Sequence, residues 1–285
     1  MIYLSSSNCK APRITDSIEE LVGAGFRNIE LSGGSNLYPE LEADLLQAKA
    51  DYSLNLQLHN YFPPPEKHFV LNLASSDEVI YQRTLEHLKK AIDLSQTLGA
   101  TRYGFHAGFL IDIKAEEAGQ GIRKRSLIER QEGIDRFCRG FEVLKQHADG
   151  IDLYIENNVI SRRNLENFEG RNPFLLTDHE GLEELGDQIN FKLLLDVAHL
   201  KVSCQSLGLD FSDQLALLMP EADYVHISDN DGMADQNNPV ESGSELLREM
   251  AAYDYDRKTM TIEVYDQIEN IKRSYDSIQR ELFTT

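Results

Sequence analysis

The sequence predicts a single-domain α/β protein, a (β/α)8 TIM barrel formed by residues 1–285. Short apolar runs alternate along the whole chain with amphipathic segments of helical spacing. The length of 285 residues suits one eight-fold barrel, which typically takes ~250 residues. Side chains that can bind protons or metals stand at the ends of one apolar run after another. Together these observations favour one barrel with a chemical site at one mouth.

The predicted strands are apolar runs bounded by polar or glycine-containing turns. Such a run indicates a buried strand. In chain order the runs are residues 1–6 (MIYLSS), 27–32 (RNIELS), 54–59 (LNLQLH), 101–106 (TRYGFH), 151–156 (IDLYIE), 191–196 (FKLLLD), 223–228 (DYVHIS) and 259–264 (TMTIEV).

A predicted helix follows each strand. The first helix carries the capping signals Thr15, Asp16 and Ser17, and the third ends at the glycine stop Leu98–Gly99. A loop with three consecutive prolines, 63–65, cannot be regular structure and is expected to overhang the mouth. Strands joined by helices in this way form right-handed parallel connections that close into a barrel. The helices are predicted at 14–22, 40–50, 76–98, 124–147, 178–186, 207–218, 242–252 and 266–282.

Seven ionisable side chains lie at or just beyond strand ends. Burying so many without partners would cost several kcal/mol each. The carboxyl ends of parallel barrel strands meet at one mouth, so a shared site explains the pattern better than separate structural roles. The seven residues are His59, His106, Glu156, Asp196, His199, His226 and Glu263.

Four of these residues are predicted to bind a metal ion. Glu156, Asp196, His226 and Glu263 end the fifth to eighth strands, which are neighbours in a barrel. Three carboxylates and one imidazole suit a divalent cation such as Mn²⁺, Mg²⁺, Co²⁺ or Zn²⁺, with positions left for substrate oxygens. Glu156 and Glu263 are also the predicted catalytic pair, since one can remove a proton from a substrate carbon and the other can return one.

Other side chains near the mouth are predicted to bind substrate: His59, His106, His199, Tyr61 and Arg162. His59 and His106 could instead join the adjacent carboxylate to hold a second ion. Tyr61 offers an apolar wall for a sugar ring, and packing under the proline loop is the alternative. Arg162 and its neighbour Arg163 could hold a carboxylate or phosphate.

The charge balance argues against nucleic acid as a partner. The chain has 48 acidic and 28 basic residues, a formal net charge of −20, which repels polyphosphate backbones. The densest basic cluster, Arg123 to Arg125 with Arg130, is predicted to be the solvated face of a helix. We expect a small sugar or polyol as substrate and leave a homo-oligomer open.

The sequence indicates a cytoplasmic protein. No apolar stretch approaches the ~20 residues that span a bilayer, and MIYLSSSNCK does not have the pattern of a signal peptide. The three widely spaced cysteines are expected to be reduced thiols.

Several motifs resemble the xylose isomerase-like TIM barrel superfamily, which includes sugar phosphate isomerases and epimerases and AP endonuclease family 2. The stretch from HNYFPPP to GFHAG is similar to its third-to-fourth strand region, and VLNLAS, LGA and a strand ending in His most resemble endonuclease IV. YIENN, LLLDVAH, YVHISDNDG and TIEVY resemble its metal-bearing strand ends. The resemblance covers nearly the whole chain and implies the barrel and the metal site.

The branches of the superfamily differ at one position. The endonuclease IV resemblance implies three zinc ions, one of them bound by an Asp-x-His pair and the DxxH histidine. Here Asp235 matches that Asp, but Asn237 replaces the His, and Asn is a poorer zinc ligand than imidazole. The isomerase branch implies the Glu–Asp–His–Glu site, with His199 contacting a substrate hydroxyl.

We therefore predict a divalent-metal-dependent isomerase or epimerase of a sugar or sugar derivative, acting through an enediolate. Three alternatives remain open. The first is an endonuclease IV-like zinc-dependent AP endonuclease or phosphodiesterase. The second is a metal-dependent dehydratase of a polyhydroxylated ring, and the third is an inactive barrel that serves as a binding module.

Overall fold

The computed structural model describes residues 1–117 and 121–283. Within them, eight parallel strands follow chain order around a closed barrel, and the eighth pairs with the first. This confirms the predicted single-domain (β/α)8 barrel, and every predicted strand corresponds to an observed one. The strands are β1 Ile2–Ser5, β2 Asn28–Leu31, β3 Asn55–His59, β4 Arg102–His106, β5 Asp152–Glu156, β6 Lys192–Asp196, β7 Ala222–Ile227 and β8 Thr259–Ile262.

The helices surround the barrel, as predicted, with differences in three connections. No described helix is both long and apolar enough to cross a membrane. The helices are α1 Ile14–Gly23, α2 Leu41–Tyr52, α3 Glu78–Thr97, α4 Arg130–His147, α5 Arg162–Asn167, α6 His179–Gly186, α7 Val197–Leu207, α8 Phe211–Leu218, α9 Glu245–Met250 and α10 Ile268–Leu282.

The fourth helix begins six residues later than the predicted start at 124. α4 starts at Arg130, and Glu129 is its N-cap. The preceding segment is held by tertiary contacts, because Arg125 pairs with the buried Glu117 and donates to the Asp112 carbonyl. The prediction that 123–125 lie on a helix was therefore wrong, since these contacts outweigh local helical propensity.

The sixth connection contains two helices rather than one at 207–218. α7 continues directly from β6, with the Asp196 carboxylate as its N-cap, and ends at Gly208 in the left-handed conformation (φ 74°). α8 then begins after the N-cap Asp210. The start of the predicted helix was therefore wrong, and His199, which was expected just beyond the sixth strand, lies in the first turn of α7. The short helix α5 was not predicted either.

The barrel interior is arranged in layers. Residues two positions apart on a strand share a face, so the side chains two residues before the strand-end site form the layer beneath it. Tyr154, Leu194 and Tyr224 pack together in this layer as a separate buried apolar cluster. Gly104 also lies there, and a Cβ at its position would meet Leu194 at 2.8 Å. The site therefore stands on a packed floor.

Long loops after β4 and β5 form one wall of the mouth. A small apolar cluster joins them, with Phe109 and Phe174 forming an isolated antiparallel bridge. The buried members of this cluster are Ile111, Ile122, Ile160, Phe168 and Phe174. Their burial fixes the loops against one another, so this wall has its own small core.

Candidate metal centre

The ionisable strand-end residues converge at the carboxyl-end mouth, with Glu156 at their centre. Its side chain is 1% exposed. One carboxylate oxygen, Oε2, lies 3.1 Å from His59 Nε2 and 3.0 Å from His106 Nδ1. The other, Oε1, lies 3.5 Å from His226 Nδ1 and 3.7 Å from His199 Nδ1. Glu156 therefore links the two halves of the cluster, His59 with His106 on one side and His226 with His199 on the other.

The four predicted metal ligands lie in overlapping groups. Asp196, His226 and Glu263 offer ligand atoms within 4.8 Å of one another, and so do Glu156, Asp196 and His199. His226 Nδ1 also lies 3.6 Å from Glu263 Oε2. The four predicted ligands therefore belong to two groups of three that share Asp196.

Unsatisfied buried atoms support this fit. Both carboxylate oxygens of Glu156 and Nδ1 of His226 are buried without a hydrogen-bond partner in the described structure. Buried polar atoms are normally satisfied, since leaving them unpaired costs free energy. A cation facing two oxygens and an imidazole nitrogen would remove that cost, and the oxygen-rich donor set suits a divalent ion.

The two predicted catalytic carboxylates are held in the ionised form. Burial raises the pKa of Glu156, but His106 and His59 outweigh it and bring the pKa well below its usual value. Burial likewise opposes ionisation of Glu263, and His226 lowers its pKa to about 2. Both groups are therefore charged at neutral pH and able to bind a cation or accept a proton.

A second carboxylate pair surrounds His199. Its Nε2 lies 3.7 Å from Asp196 Oδ2 and 3.4 Å from Asp235 Oδ2, and Nδ1 lies 3.0 Å from the Asn157 carbonyl. Burial lowers the pKa of His199, but Asp196 and Asp235 raise it well above its usual value. Burial raises the pKa of Asp196 to about 7, with Glu156 adding to the effect. Asp235, which is 28% exposed, thus joins the site from the loop after β7.

Asn237 does not join Asp235 and His199 in a group of potential ligands. Its side-chain Nδ2 donates to the backbone carbonyl of Glu263 at 3.2 Å, and its backbone carbonyl accepts from the Tyr265 amide at 2.9 Å. Among the described residues, no group of three potential ligands includes Asp235. The side chain of Asn237 therefore braces the backbone at the end of β8.

One buried acid beneath the site was missed by the sequence analysis. Glu30 in β2 lies with Oε1 3.0 Å from His226 Nε2. Its Oε2 accepts from Gln57 at 2.8 Å and from the Thr261 hydroxyl at 3.1 Å. The sequence could have indicated this residue, since Glu30 is the only acid in the run RNIELS. However, Glu30 lies inside that run, whereas the predicted site residues lie at the ends of their runs or just beyond them.

A cavity of about 440 Å³ adjoins the cluster. His106, His199 and Asp235 line it, as do Tyr61 and Arg163. The hydroxyl of Tyr61 accepts from the Leu71 amide at 3.2 Å, which fixes the ring in place.

Two predicted substrate-binding residues do not line this cavity. Arg162 is exposed on α5 beside Arg163, which does line it. His59 is buried beneath the mouth, and its ring contacts that of His226 with centroids 4.7 Å apart.

The chain is similar to known proteins over nearly its whole length. A family model described as "Xylose isomerase-like TIM barrel" matches residues 18–281. A solved D-tagatose 3-epimerase-like protein is 19% identical with a TM-score of 0.71, covering 98% of this chain and 96% of that one. A D-allulose 3-epimerase from Methylomonas sp., in complex with D-allulose, is 14% identical with a TM-score of 0.68 and the same coverages, 98% and 96%. At these identities the structural likeness shows the fold.

A curated relative matches a shorter segment. The "Probable endonuclease 4" of Thermotoga sp. (strain RQ2) is 30% identical over 89 residues. The match covers 31% of this chain and 26% of that protein, about a quarter of its length.

Proposed function

The chain belongs to the xylose isomerase-like TIM barrel family, and we propose that within it the protein is a divalent-metal-dependent isomerase or epimerase of a sugar or sugar derivative. The observation that carries the proposal is the buried cluster of Glu156, Asp196, His226 and Glu263 beside an open cavity. Structural neighbours that align with nearly the whole chain are named as 3-epimerases of ketoses, which supports the same class.

Glu156, Asp196, His226 and Glu263 would hold the ion. When bound, a divalent cation supplies positive charge that stabilises negative charge on substrate oxygens and acidifies the carbon-bound proton between them. The chain must then provide groups that move this proton and groups that orient the substrate.

Glu156 and Glu263 move the proton. Both have a lowered pKa, and both lie next to His226 Nδ1, which is 3.5 Å from Glu156 Oε1 and 3.6 Å from Glu263 Oε2. One carboxylate takes the proton from the substrate carbon, and the other returns one from the opposite face. Their low pKa values make them weak bases, so the step depends on an acidified carbon-bound proton.

His106 and His199 orient the substrate. Both line the cavity next to the carboxylates, so their ring nitrogens can bind sugar hydroxyls. Tyr61 lines the same cavity and offers a flat face against which a sugar ring packs. These contacts would decide which carbon faces each carboxylate.

Arg163 indicates an anionic group on the substrate. It is the only Lys or Arg among the described residues that line the cavity, and no described carboxylate pairs with it. The nearby acid Glu117 is already neutralised by Arg125. A carboxylate or phosphate on the sugar would provide the missing partner for Arg163.

Solvent exchange tests the proton transfer. Ketohexoses, including D-tagatose and D-allulose, are incubated in D₂O with protein and Mn²⁺ or Co²⁺, and products are analysed by NMR and mass spectrometry. We expect deuterium at the carbon between the coordinated oxygens, and no exchange with Glu156→Gln or Glu263→Gln. Product formed without deuterium would contradict this mechanism, and product that has lost water would show a dehydratase.

A zinc-dependent phosphodiesterase of the endonuclease IV type is the second candidate. Two observations favour it: His59, His106 and Glu156 form a further group of potential ligands, and the 89-residue match is to an endonuclease 4. The position of Asn237 and the net charge of −20 argue against it. Incision of an abasic duplex, with three zinc ions per chain, would establish this function. One exchangeable ion and no incision would support the isomerase.

A further inference from the structure

The cavity of about 440 Å³ lies to one side of the candidate metal centre. It adjoins the cluster through His106, His199 and Asp235, which line it. The four predicted metal ligands, by contrast, are not among the described residues of the lining. A substrate whose reacting carbons face those ligands would therefore place the rest of its structure in the cavity.

The cavity is larger than a simple sugar requires. A ketohexose occupies about as much space as six water molecules, at ~30 Å³ each, which is less than half of the cavity volume. Pockets of ~300–1,000 Å³ usually hold drug-sized ligands. An unmodified ketohexose would therefore leave much of the cavity filled with water.

Several polar side chains of the lining hold the loops together. Asn158 Nδ2 donates to three backbone carbonyls, at 2.8, 2.9 and 3.3 Å. Asn164 Oδ1 accepts from the Ile122 amide at 3.0 Å, and Glu117 pairs with Arg125. These interactions use polar groups that would otherwise be offered to the hydroxyls of a sugar.

Apolar side chains supply much of the remaining lining. Phe109, Ile113 and Val159 are half-buried on the loops after β4 and β5 and line the cavity. The Phe109 ring packs against that of Phe174, with centroids 5.3 Å apart, which holds it in place. Met233, on the loop after β7, is 53% exposed and lines the same cavity. Exposed apolar side chains grouped around a cavity are typical of a ligand-binding surface.

We propose that the substrate is a sugar derivative whose apolar substituent packs in an apolar subsite formed by Phe109, Ile113, Val159 and Met233. The inference rests on the proposed function and narrows its substrate class. An apolar group there releases water from apolar surface, whereas a sugar hydroxyl would lose hydrogen bonds to water without replacing them. An anionic group opposite Arg163 would be a separate substituent of the same sugar.

Binding of benzyl ethers tests the substituent in the unsubstituted protein. Calorimetry with Mn²⁺-loaded protein compares D-fructose with its 1-O-benzyl and 6-O-benzyl ethers, so that either end of the sugar can place the ring in the cavity. We expect one ether to bind about 10–100-fold more tightly than D-fructose, because burying an aromatic ring gives a gain of that size. Its binding should also show the more negative heat-capacity change, which marks buried apolar surface.

Two conservative variants test where the ring lies. Met233→Gln and Val159→Thr place polar atoms in the subsite with little change of shape. Each should lower the ratio of ether affinity to D-fructose affinity about threefold or more, the effect of losing one buried methyl-sized group. Leu217→Gln is the matched control, because Leu217 on α8 is 47% exposed and is not among the described residues of the lining. This control should leave the ratio unchanged.

The outcomes separate the subsite from the proposed function. Ethers that bind no more tightly than D-fructose would overturn the apolar subsite and leave the isomerase proposal standing. A preference that survives in both Met233→Gln and Val159→Thr would overturn the subsite as well, since the ring would then lie elsewhere. Tight binding of an ether without solvent exchange of its carbon-bound hydrogens would support the subsite and contradict the isomerase.

Discussion

Replacing Glu156 with glutamine tests whether one buried carboxylate holds the cluster together. The change removes a charge and keeps the volume. Glu156 Oε2 lies 3.1 Å from His59 and 3.0 Å from His106, and the side chain is 1% exposed. Removing one partner of a buried ion pair costs about 3–5 kcal/mol, because the other partner is left uncompensated. We expect the metal-free Glu156→Gln protein to lose about that much free energy of unfolding at pH 7.

Urea unfolding with and without metal measures both consequences. In the unsubstituted protein, metal at a hundred times its Kd should add about 2.7 kcal/mol, and Glu156→Gln should lose most of this gain. Glu184→Gln is the matched control, because Glu184 is 31% exposed and pairs with Arg130 at the surface, where a pair is worth about 0–1 kcal/mol. Unchanged unfolding of Glu156→Gln, with the full metal-dependent gain, would refute Glu156 as the central ligand.

Two further predictions concern a buried histidine and the cavity. Burial lowers the pKa of His87 to about 4, so below pH 6.5 the unfolded chain takes up a proton that the folded protein does not. This group should therefore remove about 2 kcal/mol of stability between pH 7 and pH 5, and urea melts of His87→Gln should lack that part of the pH dependence. Arg163→Gln should weaken binding of D-fructose 6-phosphate more than that of D-fructose. Arg162→Gln should change neither, and equal effects of the two arginine variants in calorimetry would contradict the cavity argument.

The sequence was sufficient for the barrel and for the side chains at its mouth. Each strand is an apolar run with a polar end, and parallel closure brings those ends together whatever the loops do. Glu156, Asp196, His226 and Glu263 could therefore be grouped from their positions alone. The residues that line the cavity could not be predicted from the sequence, because they depend on how the loops after β4 and β5 pack. Arg163 lines the cavity and its chain neighbour Arg162 does not.

Glu30 and α7 show two other limits of pattern reading. Glu30 is inside an apolar run, where a charged residue usually marks a solvent-facing position; only barrel closure shows that it faces His226 across the interior. The start of α7 was missed because β6 continues into it without a polar turn. Asp196 ends the strand and caps the helix at once, accepting from the His199 amide at 2.7 Å.

The number of bound ions bears directly on the reaction, because Glu156 is shared between the two halves of the cluster. If His59 and His106 bound an ion, Glu156 Oε2 would face that ion while Oε1 faced the one beside His226, and neither oxygen would be left to accept a proton. If His59 and His106 bind no ion, their ring nitrogens lie 3.1 and 3.0 Å from Oε2, their charges lower the pKa of Glu156, and Oε2 stays free of metal. Proton transfer by Glu156 therefore requires the one-ion state, whereas phosphodiester hydrolysis benefits from several ions that clamp the attacking and leaving oxygens.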